Sequence, residues 1–190
     1  MATTWRKFTM RRLLLPDADV VIGLHELNLW NKVLNCCQIY LASTVIQEVQ
    51  HYWNSAGERI LIDLAPHITS GKIIVLDGSP EIQAEILNKL IKSNLDGLHA
   101  GELESIAIIY TKDIIDLQFC IKERAAIKAV AFLNLKESSI SVEQALRDIN
   151  VLGKKQVLLP VYSKKRFDNI LLEGIFVQVK EASDKTSKSI

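Results

Sequence analysis

Four acidic residues stand where a chain can use them for chemistry: Asp17, Glu48, Glu102 and Glu123. Asp17 ends the apolar run Leu13-Leu14-Leu15-Pro16, and Glu48 lies inside Val45-Ile46-Gln47-Glu48-Val49. Glu102 follows Gly101, and Glu123 follows Cys120-Ile121-Lys122. Carboxylates that converge without neutralising partners suit magnesium or manganese, hard cations held by a few oxygen ligands, waters and substrate phosphates. Such an ion lowers the pKa of a bound water and stabilises charge developing at phosphorus. Asp17, Glu48 and Glu102 are the candidate ligands and catalytic groups, with Glu123 auxiliary. Asp19 and Glu104 are nearby acids. Glu104 lies two positions from Glu102, on roughly the opposite helix face, so the two should not share a site. Each acid also has a plainer role: Asp17 as a turn residue or N-cap, Asp19 as a solvated first-turn acid, Glu48 as a surface residue paired with His51 or a lysine, Glu102 and Glu123 as helix-start acids.

The elements that must position these groups alternate. The reading gives a strand at 11–16 and a helix at 18–34, then a strand at 38–41 and a helix from Ser43 or Thr44 to Trp53. A short helix follows at 58–68 and a strand at 73–76, stopping at Asp77. Pro80 opens the next helix with Ser79 as its cap. Gly101 precedes a buried helix, Glu102 to Thr111. The strand 114–121 and the helix 123–133 come next. Strands and helices alternating at short intervals predict an α/β chain, a Rossmann-like three-layer sandwich with a mainly parallel sheet. Right-handed crossovers place Asp17, Asp77 and Lys122-Glu123 at one sheet edge. Ser141 begins a capping-box pattern for a helix to Leu152, ended by Gly153-Lys154-Lys155. An extended stretch at 158–161, a helix at 163–172, a turn at Glu173-Gly174 and a short strand at 175–179 follow. Residues 1–10 read as a lead-in on which Trp5 and Phe8 pack, and 181–190 as a frayed polar tail.

Between about residues 11 and 150 the order of these motifs resembles the PIN domain family (PilT N-terminal nucleases). The carrying residues are Leu14-Leu15-Pro16-Asp17, Val45-Ile46-Gln47-Glu48-Val49 and Gly101-Glu102-Leu103-Glu104-Ser105-Ile106-Ala107. The last is similar to a Gly-acid-x-Glu pattern in a toxin-like branch. The resemblance implies a Mg²⁺- or Mn²⁺-dependent ribonuclease leaving 5′-phosphate and 3′-hydroxyl ends, an RNA substrate and, in many members, an antitoxin partner. It makes 153–180 an addition to the family core. Ser139 and Ser141 fall where such proteins often carry a small polar residue near the site. The fourth motif departs from the family. Where one or two Asp usually end the strand, this chain has Lys122-Glu123 before Arg124-Ala125-Ala126. A lysine there would fill the space of a metal and tie down Asp17. That implies the alternative, a degenerate module that binds RNA or a protein without cutting.

Composition narrows the rest. The 190 residues carry a formal net charge of +1, so no global basic field announces a nucleic-acid partner. Basic contacts would have to be local, and Lys154, Lys155, Lys164, Lys165 and Arg166 form the candidate rim for RNA backbone, or a solvated helix end. No apolar run has the length of a membrane span, and three cysteines without CxxC spacing suggest a reducing, cytoplasmic setting. The histidines lack metal-binding spacing; His99, three residues before Glu102, is the one placed to meet a phosphate. Trp30 and Trp53, with Leu27, Leu29 and Tyr52, are either core or the surface of a homodimer or antitoxin groove. A third reading, a doubly wound nucleotide-binding domain, lacks a Gly-rich phosphate loop after any strand.

Overall fold

The computed structural model describes residues 12–95, 97–153 and 156–187. The expected lead-in at 1–10, with Trp5 and Phe8, and the Lys154-Lys155 pair lie outside them.

The strands are β1 (Arg12–Pro16), β2 (Cys37–Ala42), β3 (His51–Trp53), β4 (Arg59–Leu61), β5 (Ile73–Leu76), β6 (Leu117–Ile121) and β7 (Ser139–Ser141). The main sheet runs β5-β2-β1-β6-β7 with every neighbouring pair parallel, and β3 and β4 form a separate antiparallel ribbon. In β1, Leu14 enters one core while Leu13 and Leu15 enter another, the alternation of a strand covered on both faces. Leu14 packs with Val21 and Leu24 of α1 (Ala18–Glu26), Val33 of α2 (Trp30–Cys36), Val45 of α3 (Ser43–Glu48) and Leu146 of α8 (Val142–Asp148). Leu15 and Phe119 pack with Ile86 of α5 (Pro80–Lys92), Ile106 of α6 (Ala100–Thr111), Ile127 of α7 (Arg124–Phe132) and Ile170 of α9 (Lys164–Ser187). The fold is the expected three-layer α/β/α sandwich.

The chain builds outward from β1 through β2 to β5, then resumes on the other side of β1 with β6 and β7. The strand order thus reverses at β1, and the crevice beyond the C-terminal ends of β1 and β6 is the switch point where such sheets bind ligands. Asp17 follows β1, and Lys122-Glu123 follow β6.

Local chemistry explains several boundaries. The Ser79 hydroxyl accepts from the Ile82 N–H at 3.3 Å, with Pro80 in the first turn of α5. The Ser141 hydroxyl accepts from Gln144 N–H at 3.1 Å and caps α8. Other expectations need correction. The helix expected over 18–34 is two, because Asn28 adopts φ 56° and Asn tolerates the left-handed region. The helix expected to Trp53 stops at Glu48, and 58–68 holds β4 and the short α4 (Ala65–Thr69). Helix α8 ends at Asp148, well before Gly153, with Asn150 at φ 57°. The stretch expected to be extended at 158–161 enters a 3-10 turn, Pro160–Tyr162.

The largest correction is at the C-terminus. The turn at Gly174, the strand at 175–179 and the frayed tail from 181 are one helix, α9, continuing to Ser187. Gly174 is there for closeness: a Cβ would lie 2.6 Å from the Lys128 carbonyl oxygen and 2.7 Å from the Ala131 Cβ of α7. Gly174→Ala should therefore destabilise despite alanine's better helix propensity, by a net of about 1–2 kcal/mol in a denaturant titration. Among the described residues no helix is long and apolar enough to cross a membrane.

Candidate functional site

The switch-point crevice collects acids from four elements. Asp17 is the N-cap position of α1, in extended conformation after Pro16, and its N–H donates to the Cys120 carbonyl at 3.1 Å. That bond fixes the residue between β1 and β6. Its side chain is buried, at 4% exposure. Burial, then the charges of Glu102, Asp19 and Glu48, push its pKa up to about 7, against a lowering hydrogen bond from the Ala18 N–H.

Glu102 sits in the first turn of α6 and is also buried. One oxygen, Oε2, accepts from the His99 N–H at 2.8 Å, satisfying a helix-start donor. Burial raises its pKa beyond what His99 offsets, with Glu123 and Asp19 adding repulsion. Glu48, exposed at the end of α3, accepts from the Gly101 N–H through Oε1 at 3.2 Å. The approach needs glycine: a Cβ at residue 101 would lie 2.6 Å from Glu48 Oε2 and 2.9 Å from Val45 Cγ2. The plainer pairing of Glu48 with His51 is absent among the described contacts; His51 is engaged by Arg59.

The structure thus gathers Asp17, Glu48 and Glu102 into one electrostatic cluster, with Asp19 and Glu123 at its rim. Lys122 differs from expectation. Its Nζ pairs with Asp19 Oδ2 at 3.3 Å and Glu123 Oε1 at 3.4 Å, so its ion pairs are to the rim and not to Asp17. Tyr162 packs beside it, with the ammonium 5.9 Å from the ring centroid, and the Arg166 guanidinium donates to the Lys122 carbonyl at 2.6 Å. Sequence reasoning missed Tyr162, because its link to the crevice is purely tertiary. Its one local signal was Pro160, two residues earlier, which starts the turn that carries it.

Several sequence candidates serve the fold instead. Glu104 faces away from the cluster. Its carboxylate accepts from the Ser43 hydroxyl at 2.9 Å, the Thr44 N–H at 2.8 Å and the Gly78 N–H at 3.0 Å. It bolts α6 to the ends of β2 and β5. The hydroxyl of Ser139 donates to the Lys136 carbonyl at 2.9 Å, and Ser141 is spent on its cap. Arg166 holds backbone carbonyls of Lys122 and Val161, and Lys164 pairs with Asp168 within α9. Neither is a free RNA contact; Lys165 is exposed. Trp30 is core, whereas Trp53 is 56% exposed.

Among the described residues no three His, Cys, Asp or Glu side chains are close enough together to hold a metal ion as they stand. The donor chemistry nevertheless fits a hard divalent cation. The charges of Glu102 and Glu48 both act on Asp17, and the backbone hydrogen bonds of Glu48 and Glu102 each use one oxygen.

Compared with known proteins, the chain matches no family model, no curated protein and no solved structure.

Proposed function

We propose that this chain is a metal-dependent endoribonuclease of PIN type. The observation that most supports the reading is the acid cluster at the switch point, where burial first and then the charges of Glu102, Asp19 and Glu48 raise the Asp17 pKa to about 7. Asp17, Glu48 and Glu102 would hold Mg²⁺ or Mn²⁺, with Glu123 at the rim. When bound, the ion would supply Lewis acidity and a reactive hydroxide. The chain's own residues do the rest. Asp17 would bind as the carboxylate, its proton passing to solvent, and Glu102 would offer the oxygen that the His99 N–H leaves free. Lys122 reduces the net negative charge that a phosphodiester must approach. A cytoplasmic setting and an antitoxin-type partner belong to the same proposal.

The test is incubation of end-labelled single-stranded RNA with Mg²⁺ or Mn²⁺. Internal cuts with 5′-phosphate and 3′-hydroxyl ends, abolished by chelation, are expected. RNA that stays intact in both metals would overturn the reading.

A second reading is a module that binds RNA or protein without cutting. It is favoured by the Lys122 pairs and by the unassembled ligand set. Lys122→Met separates the two. On the nuclease reading the parent binds Mn²⁺, and removing the ammonium tightens binding about ten-fold by calorimetry. A parent that binds none, with binding created by the substitution, would favour the second reading.

A further inference from the structure

The β3–β4 ribbon has one packed face and one open face. Tyr52 and Ile60 are opposite each other in register and partly buried, with the Tyr52 ring 5.4 Å from that of His25 on α1. Strand alternation puts His51, Trp53, Arg59 and Leu61 on the other face, Trp53 opposite Arg59 and His51 opposite Leu61. Trp53 is 56% exposed and Leu61 77%. An indole left open to solvent forgoes the large burial that aromatic side chains ordinarily gain.

Side chains of the open face and its turn contact one another. The His51 and Trp53 rings meet edge to face at 6.3 Å and 81°, and Arg59 Nη2 lies 3.2 Å from His51 Nδ1. Asn54 locks the turn: its Oδ1 accepts from the N–H groups of Ala56 and Glu58, and its Nδ2 donates to the Glu58 carboxylate. The Ile62 N–H donates to the Gln50 carbonyl at 2.9 Å and closes the base of the ribbon. The result is an exposed aromatic plane with a guanidinium opposite it in register. Trp53 follows Glu48 closely in the chain, so it lies at most about 18 Å from it.

An acidic crevice repels a polyanion, so a strand that reaches it needs cationic and stacking contacts elsewhere. We propose that the open face of this ribbon is a stacking platform for single-stranded RNA, with a base on Trp53 and a phosphate on Arg59. This rests on the nuclease reading for the strand's onward path to Glu48. A base offers a flat face to the indole whatever its identity, so the platform is tolerant of sequence. Bases in a duplex are already stacked inside, so duplex RNA should bind more weakly.

The experiment is fluorescence anisotropy of a labelled single-stranded RNA of about twelve nucleotides. It uses the full chain with EDTA, so that nothing is cut, and compares the parent with Trp53→Ala and Trp53→Phe. Trp53→Ala is expected to weaken binding by about ten-fold, and Trp53→Phe by much less because a ring remains. Equal affinity in parent and Trp53→Ala would overturn the platform, as would a parent that binds no RNA. So would a parent dimer that Trp53→Ala dissolves with RNA affinity unchanged, since the face would then belong to a second copy. Adding Mn²⁺ separates the two proposals. Trp53-dependent binding without cleavage sinks the nuclease and leaves the platform, whereas cleavage and binding indifferent to Trp53 sink the platform alone.

Discussion

Asp17→Asn is expected to stabilise the protein and to abolish RNA cleavage, two effects from one carboxylate. Burial first, then Glu102, Asp19 and Glu48, lift the Asp17 pKa from its ordinary 3.8 to about 7. The folded chain therefore keeps a proton that the unfolded chain has already released. Stability falls as pH rises from about 4 through 7, and at pH 8 the penalty is on the order of 4 kcal/mol. Asparagine carries no charge and escapes it. Urea denaturation at pH 8 should show the variant more stable than the parent, with the difference closing by about pH 4. Saturating Mn²⁺ should narrow the gap at pH 8, since a cation relieves the same repulsion in the parent. On the nuclease reading, cleavage should drop by about a thousand-fold or more, because the proposed buried ligand is lost. A variant less stable than the parent at pH 8 would show that the carboxylate is compensated after all.

Glu104→Ala is expected to do the reverse: a large loss of stability with the cation site intact. Removing its carboxylate strands the Thr44 and Gly78 N–H groups and the Ser43 hydroxyl at a partly buried junction. About 3–5 kcal/mol is a fair expectation for three such donors. Glu104→Gln should fall between, because its amide nitrogen cannot accept from a donor. Burial alone would raise the Glu104 pKa, but the backbone bonds from Thr44 and Gly78 and the hydroxyls of Thr44 and Ser43 outweigh it and hold it low. Its stabilisation is therefore present above about pH 4.5 and lost as pH falls below that range. Thermal denaturation at two pH values checks this. Loss of Mn²⁺ binding in folded Glu104→Gln would contradict the assignment and make Glu104 a ligand.

What the sequence disclosed was mostly local. The apolar run Leu13-Leu14-Leu15-Pro16 and its stop at Asp17 place the central strand and its acid, and Ser79-Pro80 marks a helix start. The same local signals were misread where tertiary packing decides. Gly174 resembles a turn residue, yet it is the contact that lets α9 lie against α7. Asn54 and Gly57 carry turn chemistry for the β3–β4 ribbon, which a helical reading of 58–68 passed over. The three partners of Glu104 lie on segments far away in the chain, so no spacing could reveal its role. The partners of Lys122 show the same limit: Asp19 lies across the sheet edge on α1 and Tyr162 on the C-terminal addition.

The central claim is that the crevice between β1 and β6 is a cation site built on Asp17. The measurement that tests it most directly is a calorimetric Mn²⁺ titration at pH 8 of the parent and of Asp17→Asn. Saturable binding by the parent that is lost in Asp17→Asn is the expected result. Equal binding by both proteins, or none by the parent even after Lys122→Met, would contradict the claim.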